Sequence, residues 1–441
     1  MKSYLQFILL LILVTPSKGQ GQSSETLLIK GVTLIDGTGK PAQKNVNVEI
    51  KNNKISAISS KPPLKGARVI DLSGKTIMPL ITNVHGHLGM ATGNYTPAQI
   101  VKELERYQLY GVGTVVSMGT DKESIFAVRD SSRSGRLPGA DVYTAGYGFR
   151  PPLGNKPQET GMEKIFRPAT AEQAIQNVQE LARLKVDMVK VWVDDMGGTT
   201  EKIKPEVYRA IIAEAHKNGL PVAAHLYYAE DAHQLIDAGV DIFAHSIRDL
   251  EVDDALISKM KTKGIVYIPT LTRDGYEFFY GDQPAWLLDP FFKASLEPGV
   301  FETITSEEYR KKEANNPGRQ KNMTAYSIAL RNLKKIHAAG ILVAFGTDSG
   351  AQTRRAQGFS EHLELQLMVD AGLTPSEVIA IATRNSCQVL KVKDQGTLQP
   401  GMNADFMVLN QNPLDDIKAT RTIHSVWKKG AMVNNGPELV K

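Results

Sequence analysis

Near the start of the chain, short runs alternate apolar and polar residues at 27–35, 46–58 and 68–77, with turn-forming residues between them and Asn52-Asn53 inside the second. Alternation with period two predicts half-buried β-strands. The same texture returns at 404–409 and 425–433, around a polar stretch holding Asn412-Pro413. Two β-rich ends around a different middle predict one small β-sandwich domain built from both termini, residues 20–78 and 392–441. The middle, 79–391, has another rhythm. Apolar runs rich in Val and Ile, centred near Val84, Val116, Thr144, Val191, Ala224, Phe243, Tyr267 and Phe345, alternate with stretches of helical period at 205–218, 231–238, 253–263 and 327–339. Eight such βα units predict an α/β fold of the (β/α)8 TIM barrel class, which carries its chemistry at the C-terminal ends of its strands.

One connection breaks this regularity. Between the seventh and eighth runs an insertion at about 272–322 holds Phe278, Phe279, Tyr280, Trp286, Phe291, Phe292 and Phe301 and is longer than a loop and helix require. It is either a helical excursion packing its own aromatics or a lid over the barrel mouth. At the other extreme of the chain, residues 1–19 read as a signal peptide: Lys2 is followed by an apolar run at 5–14 and by Ser17-Lys18-Gly19, with small residues where a signal peptidase cuts. The run is too short to span a bilayer, which takes roughly 20 residues. An exported protein, periplasmic or secreted, with no stable membrane anchor after cleavage before Gln20 is the expectation.

Composition changes this picture little. With 42% hydrophobic and 22% charged residues the chain is neither disordered nor fibrous. Its net charge of +5, or +3 without Lys2 and Lys18, is interspersed and too mild for a nucleic-acid partner. Cys387 is the only cysteine, which excludes an internal disulfide; in a helical stretch at 379–390 it reads as a core residue.

The chemistry lies at the ends of the apolar runs. His85 and His87 stand two apart on the first run, so both imidazoles face one side and can converge on a metal. Lys190 sits inside Val186-Asp187-Met188-Val189-Lys190-Val191-Trp192-Val193, a run that reads as buried on both faces. An ammonium there must be paired, neutral or modified, or must snorkel to the mouth; carbamylation would make it a bridging carboxylate. His225 and His245 end two successive runs, 20 residues apart, and can reach one ion. Asp348 follows the eighth run, where a carboxylate can bind metal and accept a proton from water.

Six such residues in this order resemble the binuclear class of the amidohydrolase superfamily, and the resemblance covers nearly the whole chain. The residues 396–405, Gly-Thr-Leu-Gln-Pro-Gly-Met-Asn-Ala-Asp, look like that family's return into its β-module. Lys190-Val191-Trp192-Val193-Asp194-Asp195, with Ala224-His225 and Ala244-His245, is most similar to the imidazolonepropionase-related and Xaa-Pro dipeptidase-like branch. The resemblance implies two divalent metal ions. His85, His87 and Asp348 would hold the buried ion, His225 and His245 the second, and carbamylated Lys190 would bridge them. The mixed nitrogen and oxygen ligands point to zinc, with manganese, cobalt or nickel as alternatives. One departure stands out: the family's Pro-Gly-Leu-Ile-Asp before the paired histidines reads here Pro79-Leu80-Ile81-Thr82-Asn83.

The implied activity is metal-dependent hydrolysis of a C–N bond in a small-molecule substrate, a dipeptide or N-acyl amino acid. Asp348 would move the proton to the leaving group. Tyr228, three residues after His225, either donates a hydrogen bond to the oxyanion or is a packed aromatic. Deaminases of the superfamily tend to carry glutamate at that spacing and lack the lysine on the fourth strand. A lactonase or phosphotriesterase-like hydrolase is the enzymatic alternative; a non-catalytic binding protein of the same fold is the other. His216, His233, His337, His362 and His424 default to packed or exposed histidines. Asp194, Asp195, Arg150, Arg248 and Arg273 follow predicted strands at the mouth, where an arginine could clamp a carboxylate. A homo-oligomer is left open.

Overall fold

A computed structural model of the chain describes residues 26–61, 66–152, 164–195 and 197–439; the expected signal peptide lies outside them. Five strands come first: β1 (Leu27–Leu34), β2 (Gln43–Lys51), β3 (Lys54–Ser59), β4 (Arg68–Asp71) and β5 (Thr76–Pro79). Seven short strands follow, β6 (Ile81–Gly86), β7 (Val112–Ser117), β8 (Asp141–Thr144), β9 (Val189–Trp192), β10 (Val222–His225), β11 (Ile242–Ala244) and β12 (Val266–Ile268). Three more, β13 (Phe406–Leu409), β14 (Ile423–Lys428) and β15 (Ala431–Asn434), end the series.

Both ends of the chain meet in one sheet. Its order is β15-β14-β13-β5-β1-β2-β3, with β4 also paired to β1. The expectation was a sandwich; the strands form a single hydrogen-bonded sheet because β1 changes neighbours midway, pairing β4 through Leu27–Lys30 and β5 through Thr33–Leu34. Both halves bury the same apolar set, in which Ile29, Val32 and Val48 meet Phe406, Val408 and Trp427. Asn52 and Asn53 join β2 to β3, both at positive φ, the conformation a two-residue hairpin with right-handed twist requires.

The middle strands are all parallel and form two sheets, β6-β7-β8 and β12-β11-β10-β9. Backbone bonds link them at both flanks. Phe149 N donates to Lys190 O (2.8 Å) and Trp192 N to Phe149 O (2.9 Å) on one side. On the other, Tyr267 N donates to Leu342 O (2.9 Å) and Val84 N to Phe345 O (2.8 Å). The eighth run is therefore extended chain held by isolated bridges, Tyr267 to Val343 and Gly86 to Ser349, where a regular strand was expected. Met188 and Ala223, two residues before Lys190 and His225 and so on the same faces, pack in a small inner apolar cluster with Val116, Ile268 and Ala344. A larger core, including Leu104, Val115, Ile211 and Leu235, lies between strands and helices.

The insertion is helical, running through Leu271–Gly275, Phe279–Asp282, Pro290–Lys293, Val300–Thr305 and Glu307–Ala314 into the long Arg319–Ala338 helix. Its aromatics pack on one another, Trp286 meeting Phe292 edge-on at 5.0 Å. Among the described residues no helix is long and apolar enough to cross a membrane.

Leu80, where the family resemblance expects glycine, is buried directly over Gly113: a Cβ added at 113 would meet Leu80 Cβ and Cδ1 at 2.9 Å. Overpacking of this kind costs about 1–3 kcal/mol. Gly113→Ala should therefore lower stability by about that much in urea titrations, and by clearly less in a Leu80→Gly background, which removes the Cβ as well as the branch. Equal costs in the two backgrounds would show that Leu80 is not what fills the site.

Candidate metal centre

The irregular eighth run brings Asp348 onto the paired histidines of β6. Asp348 Oδ1 lies 2.8 Å from His87 Nε2 and 3.3 Å from His85 Nε2, all three residues being buried. Ligand atoms of these three fall within 4.8 Å of one another. The other imidazoles adjoin them: the His85 and His245 rings are 4.5 Å apart between centroids, and His245 and His225 4.3 Å. Lys190 enters from β9 with no exposed surface. Its Cβ passes where a side chain on Gly119 would stand, 2.8 Å from that position, so the lysine's path depends on the glycine. All six predicted ligand residues are thus gathered in one place.

Their protonation suits cation binding. Burial, with Lys190 nearby, lowers His85 to about 3; burial lowers His225 to about 4 against the pull of Asp194. Burial and the neighbouring imidazoles hold His245 well below its ordinary value. These imidazoles are neutral at pH 7 and keep lone pairs to give. Burial opposes ionisation of Asp348, but the Arg355 guanidinium and both imidazoles hold its carboxyl well below the usual range. Burial also brings Lys190 down to about 7.

The far nitrogens are held from outside. His87 Nδ1 meets Thr120 Oγ1 at 2.8 Å and His245 Nδ1 meets Thr270 Oγ1 at 2.9 Å, contacts that orient the rings and turn Nε2 to the centre. Asp194 Oδ2 lies 3.2 Å from His225 Nε2, which leaves Nδ1 without a partner. Both nitrogens of His85 and the Lys190 Nζ are also buried and unpartnered. Three non-glycine residues at this rim, His245 (φ +89°), Thr270 (φ +51°) and Asp348 (φ +59°), occupy the left-handed region, a strain of about 1–3 kcal/mol each that clusters at functional sites.

A cavity of about 450 Å³ adjoins the centre, reaching it through Asp194 and Arg355. Arg248 and Arg273 line it as expected, joined by Glu277, Gly318, Lys321 and Asn322 from the insertion and by Ala325 just past it. Tyr227 is among its lining residues, whereas the Tyr228 hydroxyl donates to Asp195 Oδ1 at 3.0 Å. Arg150 stacks over Trp192, 4.4 Å from the ring centroid. Sequence reasoning missed Arg355, whose guanidinium bonds Asp348 Oδ2 and reaches Glu277 Oε1 at 2.9 Å. It lies seven residues past Asp348 in an irregular segment, where no periodicity marks it. His362 is a satisfied core histidine, between Thr420 Oγ1 and Tyr110 O, each at 2.9 Å. Cys387 is buried beside Thr82 and burial pushes its thiol up to about 11, as fits a packed core residue.

Comparison with known proteins agrees with this geometry. The model of the Amidohydrolase family matches residues 76–433. The ochratoxinase of Aspergillus niger is 26% identical over 464 residues, spanning 93% of this chain and 87% of that protein. The imidazolonepropionase of Deinococcus deserti is 35% identical over 104 residues, 23% of this chain and 26% of the other. A solved Xaa-Pro dipeptidase with methionine bound in its active site superposes with a TM-score of 0.72, at 22% identity, over 93% of this chain and all (100%) of that one.

Glu364 buttresses the rim from the Phe359–Asp370 helix, accepting from Leu271 N (2.8 Å), Thr272 N (2.7 Å) and Thr272 Oγ1 (2.8 Å). Burial outweighs these donors and raises it from 4.5 to about 8. Between those values the folded protein keeps a proton that the unfolded chain has released, so ionisation of Glu364 weakens folding as pH rises through that window. Urea titrations should show wild type losing stability relative to Glu364→Gln between pH 5 and 8, by up to roughly 1.4 kcal/mol per pH unit. Parallel stability curves would refute the assignment.

Proposed function

Because the chain belongs to the amidohydrolase family, whose model covers residues 76–433, we propose that it is an exported hydrolase of amide bonds working with two divalent cations, zinc first, on dipeptides or N-acyl amino acids. The observation that carries this reading is the set of buried, unpartnered nitrogens, Lys190 Nζ, His85 Nδ1 and Nε2, and His225 Nδ1, around Asp348. Polar atoms left so cost free energy unless something binds them. Cations among neutral imidazoles and a carboxylate would engage the lone-pair nitrogen of each ring, and carbamylation would turn the Lys190 amine into a ligand. His85, His87 and Asp348 would hold the buried ion, and His225 with His245 the second. Backbone bonds on both flanks of the parallel sheets support a closed barrel as the scaffold.

Lys190 would bridge the pair as a carbamate. At a value of about 7 much of its amine is neutral and free to add to carbon dioxide; a C–N bond forms, one proton leaves, and the product is an anion. Such cations, when bound, acidify water and polarise a carbonyl oxygen. Asp348, kept ionised, accepts the proton from water at Oδ1 and passes it to the leaving nitrogen, while Arg355 fixes Oδ2 and so the carboxylate plane.

The cavity suits an anionic substrate. Four basic residues line it, Arg248, Arg273, Lys321 and Arg355, against the three acids Asp194, Asp274 and Glu277. Arg273 spends one nitrogen on Asp274 (2.9 Å), and its side chain stays 20% exposed. A free carboxylate beside the scissile amide fits that surplus. Ochratoxinase and the Xaa-Pro dipeptidase with its bound methionine support the same class. Export rests on the pattern of residues 1–19.

Zinc-loaded protein screened against dipeptides, N-acyl amino acids and lactones should turn over the first two, with Asp348→Asn as the blank, its kcat lower by about 10²–10⁴-fold. Turnover of lactones alone, or no uptake of metal, would reject the proposal. Arg273→Ala should raise KM for carboxylate-bearing substrates by about 10–100-fold, the loss of one charged hydrogen bond, and leave KM for their C-terminal amides nearly unchanged. An equal rise for both would remove Arg273 from carboxylate recognition.

A further inference from the structure

We propose that Glu361 is the positioning residue of the centre and that Asn83 is its matched partner, the two together tying His85 to Asp348; the proposal rests on the metal-centre reading above. Glu361 is fully buried on the Phe359–Asp370 helix, and its hydrogen bonds go to residues other than the six ligands. Its Oε1 accepts from Asn83 Nδ2 (2.7 Å), Thr347 Oγ1 (2.8 Å) and Ser349 Oγ (2.7 Å). Its Oε2 accepts from Gly358 N (2.7 Å). Thr347 and Ser349 flank Asp348, so one carboxylate grips the chain on both sides of a residue held at φ +59°.

The grip extends to the first strand. Asn83 Oδ1 accepts from His85 N at 2.9 Å, and Asn83 Nδ2 also reaches Thr347 Oγ1 at 2.9 Å. A single side chain thus links the backbone of His85, on one strand end, to the segment bearing Asp348, on another. Those two residues are among the three, with His87, whose ligand atoms lie within 4.8 Å of one another.

The pairing also accounts for the departure at position 83, where the family resemblance expects aspartate. An aspartate would place a carboxylate oxygen 2.7 Å from Glu361 Oε1, where the amide donor of Asn83 now sits. Two buried carboxylates at such a separation cannot both be ionised. Asn83 supplies an acceptor to His85 N and a donor to Glu361 in the same side chain, a combination that fits an acid at 361. Exchanging the two, aspartate at 83 and glutamine at 361, restores one donor facing one acceptor in the opposite sense.

The test is zinc retention by the full chain, measured by competition with a chromophoric chelator, in wild type, Asn83→Asp, Glu361→Gln and the double variant. Each single substitution should weaken retention about 10–100-fold, the usual penalty for disturbing the groups that orient metal ligands. The double should recover to within about tenfold of wild type. A role in general packing predicts instead that the two losses multiply, and that result overturns the pairing, as does wild-type retention in both singles. If Glu361→Gln does not fold alone, a folded double variant supports the pairing and an unfolded one overturns it. Wild type that takes up no zinc removes the centre and this proposal together; wild type that binds zinc beside unaffected variants removes the pairing alone.

Discussion

The rest of the molecule depends on a cost: a lysine amine and several imidazole nitrogens are withdrawn from water at the ends of parallel strands with no protein partner to satisfy them. Each such atom is unfavourable by about 1–3 kcal/mol, and three left-handed backbones at the same rim add comparable strain. Packing elsewhere must offset that sum. The large core between strands and helices supplies it, and its rigidity holds the side chains at one spacing. A site able to fill its own valences would lower the cost and lose its affinity for cations.

Orientation is delegated outward in layers. Thr120, Thr270 and Asp194 fix rings from the next shell. The Phe359–Asp370 helix reaches the rim with two carboxylates one turn apart, Glu361 beneath Asp348 and Glu364 beneath the turn that follows Thr270. The cavity wall draws on a different element. Lys321 and Asn322 belong to the insertion, whose aromatics bury one another while its polar edge faces the cavity. The insertion packs its own rings, as one reading from sequence had it, and some of its residues line the cavity.

How much of this was legible depended on whether the signal was local. Paired histidines on a strand, a lysine inside an apolar run and acids or histidines at run ends are visible because burial makes them anomalous where they stand. Arg355, Glu361 and Glu364 gave no such sign. Two lie on a helix buried on nearly every side, whose apolar and charged residues show no amphipathic stripe, so a buried glutamate there looks like any helical glutamate. The irregular eighth run was placed correctly by its apolar residues, but its lack of a regular ladder follows from the turn at Asp348, a backbone feature that composition does not encode. The single sheet was likewise invisible, since alternation sets which face is buried and says nothing about β1 changing partners.

Three of the departures from the family pattern before the paired histidines each have a specific contact in the fold. Leu80 takes the room that Gly113 leaves. Thr82 Oγ1 meets Cys387 Sγ at 3.3 Å, giving a buried hydroxyl a partner and accounting for the lone cysteine. Asn83 exchanges hydrogen bonds with Glu361 and with His85 N. Each of these three residues thus meets one far away in sequence and next to it in space. None of these three side chains displaces a ligand, so the approach to the centre differs from the family pattern around an unchanged set of donors. The centre's geometry is thus held by contacts that reach well beyond the ligands themselves, from Gly113, Cys387 and Glu361.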